Sequence, residues 1–336
     1  MRLPRFEYIK PASLEEALTV LQESGRDARI LAGGTDLLVN MKYGIIRPKR
    51  VVSIRSINEL CSISEDSKGN IRIGACVTLS DLTGNNLVSE KLPTLKSAVK
   101  SVASKHIRNM ASVGGNICLG ARCWYYNQSK LWRDAREACH RMGGSVCHAI
   151  RGSKRCHAIN SSDTAPALMV LGAEIDVQKK GHKRLVPVRE FFADNGARHT
   201  VLEPEEMATE IVVPAVNNNS HATFIKVSSR RGIDFAMGSI AALVTGNSRK
   251  CSSVKLVIGS VSSAPLVLEK AVHIIMESGL TDESIEKAAE AAHSELGTVT
   301  NLFTSAGYKR NLARVLVRRA LQELKGKIKK TRRAKN

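Results

Sequence analysis

Two pairs of consecutive glycines, Gly33-Gly34 and Gly114-Gly115, constrain this chain more than any other feature. The first pair follows Ala28-Arg29-Ile30-Leu31-Ala32, which reads as a buried strand. It precedes Thr35, Asp36 and the apolar Leu37-Leu38-Val39 of a short helix. The second pair is a further glycine turn, in Ser112-Val113-Gly114-Gly115-Asn116-Ile117. Consecutive glycines behind a strand let the backbone approach a ligand closely, and their N–H groups can then hold phosphate oxygens. A dinucleotide pyrophosphate suits two such cradles, with Thr35, Asp36, Ser112 and Asn116 adding side-chain hydrogen bonds. The competing reading is a pair of tight turns that need positive φ. Neither pair fits GxGxxG, so a Rossmann-type site is not supported.

Around these turns the pattern is mixed. Ser13-Leu14-Glu15-Glu16 is a capping-box signature opening a short amphipathic helix that ends near Gly25. Residues 51–54 and 71–73 read as strands and 95–102 as a helix. Apolar core character returns over 165–177. Asn217-Asn218-Asn219-Ser220 is the best domain boundary. Beyond it lie strand-like runs at 241–245 and 254–260, then helical patterns that include 308–324, with Leu312, Val315, Leu316 and Leu324 on one face. Strands followed by grouped helices indicate α+β architecture in both domains, 1–216 and 220–325.

The 336 residues carry 43% apolar and 24% charged side chains, enough for at least one sizeable core, and only 4% aromatics, so that core is built of Val, Ile, Leu and Ala. No apolar run is long enough to span a bilayer, and the first residues do not read as a secretory signal, so the expected compartment is the cytoplasm. The net charge is +20. Seven Lys or Arg and no acid lie between Lys325 and Asn336, and this tail, 326–336 in the domain division, reads as a solvated, disordered extension. A nucleic-acid-binding or scaffold role is the reading of another class. Against it, basic residues are not interleaved with aromatics and no nucleic-acid reading motif is found.

From Cys118 to Cys156 the texture changes to Cys, His, Arg and Trp with poor apolar periodicity, as in an inserted segment at about 118–158. Cys123, Cys139, Cys147 and Cys156 are separated by 15, 7 and 8 residues, neither a CxxC zinc pattern nor a ferredoxin run. Four cysteines in a polar, loop-rich segment favour one shared site, and the residues alone leave a four-cysteine iron–sulfur cluster, structural zinc and no metal open. His140, His148 and His157 each follow a cysteine and read as supporting or solvated groups. Trp124 and Trp132 either shield the site or pack the insertion. Cys118 reads as core or cofactor-adjacent, and Cys61, Cys76 and Cys251 as buried thiols.

Taken in order, Leu31-Ala32-Gly33-Gly34-Thr35-Asp36-Leu37, then Ile107-Arg108-Asn109 leading to Ser112-Val113-Gly114-Gly115-Asn116-Ile117, then Ser161-Ser162-Asp163-Thr164-Ala165-Pro166-Ala167 closely resemble the FAD-binding subunits of molybdenum hydroxylases, the xanthine dehydrogenase and carbon monoxide dehydrogenase flavoprotein family. Val186-Pro187-Val188-Arg189-Glu190-Phe191-Phe192 and Arg230-Arg231-Gly232-Ile233-Asp234-Phe235-Ala236 are similar to later stretches of the family, so the resemblance covers about residues 1 to 325. It implies a two-part FAD-binding domain of the PCMH type followed by a smaller α+β domain. It further implies pyrophosphate at the first glycine turn, the second turn close to flavin and pyrophosphate, and Asp163, beside Ser162, on ribityl or ribose hydroxyls. Lys226 and Arg230 would contact FAD or a partner subunit, or be solvated surface charge. The insertion resembles that of the 4-hydroxybenzoyl-CoA reductase branch, which implies a [4Fe–4S] cluster on the four cysteines. By the same resemblance, substrate reacts at a molybdenum cofactor in a large subunit, a small subunit with two [2Fe–2S] clusters links it to the flavin, ferredoxin is the electron donor, and the complex is a dimer of heterotrimers. No catalytic acid or base is expected in this chain, and the flavin environment positions and tunes the cofactor.

Overall fold

The computed structural model of the chain describes residues 2–230, 232–301 and 304–335, with 330–335 as backbone only. Arg231 and Asn336 therefore lie outside the described residues.

The chain begins with a three-stranded parallel sheet in the order β1-β3-β2, from β1 (Glu7–Ile9), β2 (Ala28–Leu31) and β3 (Arg50–Ser53). Its crossover helix, Leu14–Ser24, is capped by Ser13, whose hydroxyl accepts from the Glu16 amide, and it buries Ala17, Leu18 and Leu21 against Val52, Ile54 and Ile57. The chain then builds a five-stranded antiparallel sheet in the order β4-β5-β8-β6-β7, from β4 (Ile63–Glu65), β5 (Ile71–Gly74), β6 (Glu174–Lys179), β7 (His182–Pro187) and β8 (Met207–Val213). Helices Pro93–Lys100 and Thr164–Leu171 share the largest core with it and lie against the sheet of the second domain. The cysteine segment lies between the strands of this sheet in the sequence and holds only short helical turns, Lys130–Asp134 and His140–Met142.

The second domain is a four-stranded antiparallel sheet, β12-β11-β10-β9, from β9 (Ser220–Val227), β10 (Gly238–Gly246), β11 (Cys251–Gly259) and β12 (Leu266–Val267). Helices Glu269–Ser278, Asp282–Glu295 and Ala306–Lys335 pair with one face. Ile240, Ala242 and Val244 of β10 pack toward them, while Ala241 and Leu243 belong to the core of the first domain. The apolar run along β10 is therefore continuous because both faces are buried, one in each domain.

Two local expectations are corrected. The final helix does not stop near Leu324 to release a disordered tail; it runs to Lys335. Ile328 is buried on the same stripe as Leu316, Ala320 and Leu324, and Lys325 pairs with Asp282 at 2.8 Å, so packing holds the start of the basic stretch in the helix. On that stripe Val317 is buried and Val315 only half-buried. Cys76 and Cys251 are buried as expected, but Cys61 is exposed, its thiol meeting the carbonyls of Arg55 and Ile57 on a surface turn. No helix among the described residues is long and apolar enough to cross a membrane.

Candidate cofactor site

A cavity of about 530 Å³ opens where the two sheets of the first domain meet a loop of the second. Its wall includes Ala32, Gly33, Gly34, Thr35, Asp36 and Leu37 from the first glycine turn, and Ser112, Gly114, Gly115 and Asn116 from the second. Ser161, Asp163 and Cys118 also line it, as do Arg230, Ile233, Asp234 and Phe235 of the second domain. Of the residues expected around a cofactor, Leu31, Val113 and Ser162 do not line it. Val113 is buried in the core, and Ser162 Oγ donates to Asn116 Oδ1 at 2.9 Å.

The two glycine pairs are built differently. Gly34 has φ +72°, so the first pair is a true turn, and a side chain at Gly33 would overlap the carbonyl oxygen of Met110. Among the described residues the backbone N–H groups of Gly33, Gly34, Thr35 and Asp36 have no acceptor. The second pair is not a turn. Gly114 and Gly115 sit inside the five-residue helix Val113–Ile117, and neither has positive φ. The amides there are all engaged: Val113 with the Val77 carbonyl, Gly114 with that of Ala75, Gly115 with Ser112 Oγ at 3.0 Å, and Asn116 with the Ser112 carbonyl. Gly114 is required because a Cβ would stand 2.7 Å from that of Ala75 and 2.8 Å from its carbonyl oxygen. The expectation of a second phosphate cradle is thus corrected: this pair allows a close approach within the protein.

Among the described residues, five charged side chains line the wall: Asp36, Arg122, Asp163, Arg230 and Asp234. Asp36 does not face the cavity freely. Its Oδ1 pairs with Arg122 Nη2 and its Oδ2 accepts from Asn40 Nδ2 at 2.9 Å. The Arg122 guanidinium lies 5.1 Å from the centroid of the Phe235 ring, a cation–π contact to the second domain. Asp163, 4% exposed, pairs through Oδ2 with Lys226 Nζ at 2.6 Å, and Lys226 also donates to the Ser101 carbonyl. Lys226 is therefore a buried ion-pair partner, not solvated surface charge. Burial pushes the Asp163 carboxyl up to about 6 against the opposing pull of Lys226, and its Oδ1 has no partner among the described residues. Burial also holds the Cys118 thiol at about 12, in keeping with a cavity-lining but unreactive cysteine. Free amides at a turn, an orphaned buried acceptor and backbone packed too closely for side chains fit a flavin nucleotide. The amides suit phosphate and the carboxylate suits a hydroxyl donor. Sequence reasoning missed Arg122, Phe235 and the partnership of Lys226, because each acts across tens of residues with no local pattern to mark it.

The cysteine segment folds back beside this cavity. Arg122 and Ile159 exchange backbone hydrogen bonds, which sets Cys123 against Cys156, and Cys139 bridges to Val146 next to Cys147. Cys156 lies within electrostatic reach of Cys123 and Cys147, and Cys123 of Cys139. All four are free thiols, and burial pushes those of Cys123 and Cys156 up. Among the described residues, no three His, Cys, Asp or Glu side chains converge tightly enough for a single metal ion. His140 and His148 place Nε2 on the carbonyls of Ser153 and Glu137, and His157 places it on Ser153 Oγ. Guanidiniums stack on the aromatics: Arg136 on Trp132 at 4.2 Å and Arg141 on Tyr126 at 4.0 Å, while Trp124 is exposed. Arg133, buried, donates to the carbonyls of Gln128, Tyr43 and Gly44, tying the insertion to the end of the helix that follows the first glycine turn.

Fold and site together define a flavin-nucleotide-binding oxidoreductase subunit. Residues 4–216 match the family described as the FAD binding domain in molybdopterin dehydrogenase, and residues 223–324 match the CO dehydrogenase flavoprotein C-terminal domain. The chain belongs to this family of FAD-binding medium subunits of molybdenum hydroxylases. It is 27% identical over 322 residues to the alpha subunit of the 6-hydroxypseudooxynicotine dehydrogenase complex of Paenarthrobacter nicotinovorans, covering 96% of this chain and 95% of that one. It is 29% identical over 322 residues to the aldehyde oxidoreductase FAD-binding subunit PaoB of Escherichia coli strain K12, covering 90% and 94%. Among solved structures, it is similar to the carbon monoxide dehydrogenase of Hydrogenophaga pseudoflava that lacks the Mo-pyranopterin moiety. There the TM-score is 0.80 with 27% identity, over 96% of this chain and 98% of the other.

Proposed function

We propose that this chain is the FAD-carrying electron-transfer subunit of a molybdenum-containing oxidoreductase and that Cys123, Cys139, Cys147 and Cys156 hold a [4Fe–4S] cluster beside the flavin. Substrate chemistry then belongs to a large molybdenum-cofactor subunit, and a small subunit with two [2Fe–2S] clusters joins that centre to this one. A flavin passes one or two electrons and a cluster passes one, so the pair forms a relay. The observation that carries the reading is the cysteine segment, four free thiols on one fold-back in which Cys123 packs against Cys156 and Cys139 bridges to Val146 beside Cys147, rooted against the cofactor cavity at Arg122. Four thiolates suit zinc and an iron–sulfur cluster alike, and the resemblance of the inserted segment is what favours iron–sulfur over zinc.

At its most specific the reading is a 4-hydroxybenzoyl-CoA reductase-type complex, a cytoplasmic dimer of heterotrimers. It removes the phenolic hydroxyl reductively, giving benzoyl-CoA, with ferredoxin as the donor and the cluster extending the electron path outward. The second reading is a xanthine or aldehyde dehydrogenase-type subunit that passes electrons to NAD or another acceptor. It is favoured by the resemblance to the aldehyde oxidoreductase subunit. Iron and acid-labile sulfide analysis of anaerobically purified protein tests the first, with about four irons per FAD expected by the cluster's composition. Cys156→Ser should lose iron while retaining FAD, read by paramagnetic resonance of the reduced protein. Zinc in place of iron, with rapid flavin reoxidation by NAD, would decide for the second.

A further inference from the structure

We infer that Arg122 is a phosphate-binding residue, completing the cradle of the first glycine turn for the pyrophosphate of the flavin nucleotide. This rests on the FAD reading and deepens it. Arg122 lies at the root of the cysteine segment, 86 residues from Asp36 in the chain, yet Asp36 holds its Nη2. That pairing is half of what the group offers. A guanidinium meets a carboxylate best through two parallel N–H bonds, but here the second carboxylate oxygen is taken by Asn40. Arg122 Nε is left buried with no acceptor among the described residues. A buried unpartnered donor is costly, of the order of 1–3 kcal/mol, and such a cost at a cavity points to an acceptor that arrives with a ligand.

The surroundings say which acceptor. Arg122 lines the same cavity as Gly33, Gly34, Thr35 and Asp36, whose amides are also without acceptors. Four backbone donors and a guanidinium line one stretch of wall, and the carboxylate among them, Asp36, is balanced by its pairing with Arg122. A phosphate carries the number and arrangement of acceptor oxygens that such a donor set matches. The pairing with Asp36 holds the guanidinium at its Nη2 edge and Phe235 approaches it through a cation–π contact, which limits the reorganisation needed to receive the ligand.

The test uses the full chain stripped of flavin and titrated with FAD, with ADP (pyrophosphate without flavin) and with riboflavin (flavin without phosphate). Arg122→Gln and Arg122→Lys are compared with the wild type. Lysine keeps a positive charge facing Asp36 but lacks the Nε–H and the planar fork of the guanidinium, so it carries the test if the glutamine variant does not fold. Both variants should bind FAD and ADP roughly ten- to a hundredfold more weakly, the usual range for losing a charge-assisted bond, with riboflavin binding unchanged. ADP bound equally well by wild type and both variants would overturn the assignment. So would a wild type that binds FAD but not ADP, or an equal loss for riboflavin. A wild type that cannot be reconstituted with FAD at all would instead overturn the FAD reading, and this inference with it.

Discussion

The turn at Gly33-Gly34 presents four backbone amides without acceptors, whereas the segment at Gly114-Gly115 engages every one of its own within the chain. The two pairs share a dipeptide and a position on one cavity wall, yet their glycines answer different needs. At the first, Gly34 supplies a left-handed conformation that turns the N–H groups outward. At the second, the missing side chain lets a short helix lie against Ala75, on the loop that follows β5. One pair leaves its amides unused beside the cavity, and the other packs the wall of that cavity. A glycine pair is therefore not itself a phosphate site. What decides is whether its amides are left over after the chain has folded.

Substitutions can break or sharpen that contrast. The largest effect is expected of Gly33→Ala, whose methyl overlaps the Met110 carbonyl and must displace the turn. Overpacking of this kind costs up to about 3 kcal/mol or more, so FAD affinity should fall roughly a hundredfold, measured by flavin fluorescence titration. Gly114→Ala should lower the stability of the flavin-free chain by about 2 kcal/mol in denaturant unfolding, through the clash with Ala75. If it instead abolished flavin binding at unchanged stability, the contrast would fail.

Next comes the response to pH. The Asp163 carboxyl is raised to about 6 in the folded chain. The stability it contributes is full below its ordinary carboxylate range and is lost as pH rises through about 6. A ligand hydroxyl donating to Oδ1 favours the ionised form. FAD affinity should therefore rise with pH through that same region, by up to roughly tenfold between pH 5 and 7, and level off above it. An affinity that is flat with pH would remove Asp163 from the ligand's partners. The smallest effect is expected of Ser112→Ala. It removes a helix cap and should cost about 1 kcal/mol in thermal unfolding while leaving FAD affinity unchanged. A gain in affinity would mean that the freed Gly115 amide reaches the nucleotide after all.

How much could be read in advance follows from the range of the forces involved. The helix Leu14–Ser24, the strand before Gly33 and the apolar stripe of the last helix are set by neighbours three or four residues away, and periodicity displays them. The order of both glycine segments and Asp163 in a resembling family likewise implies that they serve one cofactor, and most of these residues line one cavity. What stayed hidden is pairing at a distance. Nothing near Asp36 announces that Arg122 will take it, and nothing near Lys226 announces Asp163. Both glycine pairs look like turns until the acceptors for Gly114 and Gly115, some of them nearly forty residues upstream, are known. The start of the basic tail differs for the same reason: its composition suggests solvation, while Ile328 is buried in a core assembled with strands far earlier in the chain.

The ion pair between Asp163 and Lys226 has a consequence for cofactor exchange. It joins the first domain to β9 of the second with its charges 5% and 9% exposed, close to where the loop bearing Ile233 and Phe235 closes one side of the cavity. Swinging that loop aside by separating the domains would expose two opposite charges at once and break the sheet face they share. A ligand that left by that route would wait on the opening of the domains and not only on the breaking of its own bonds.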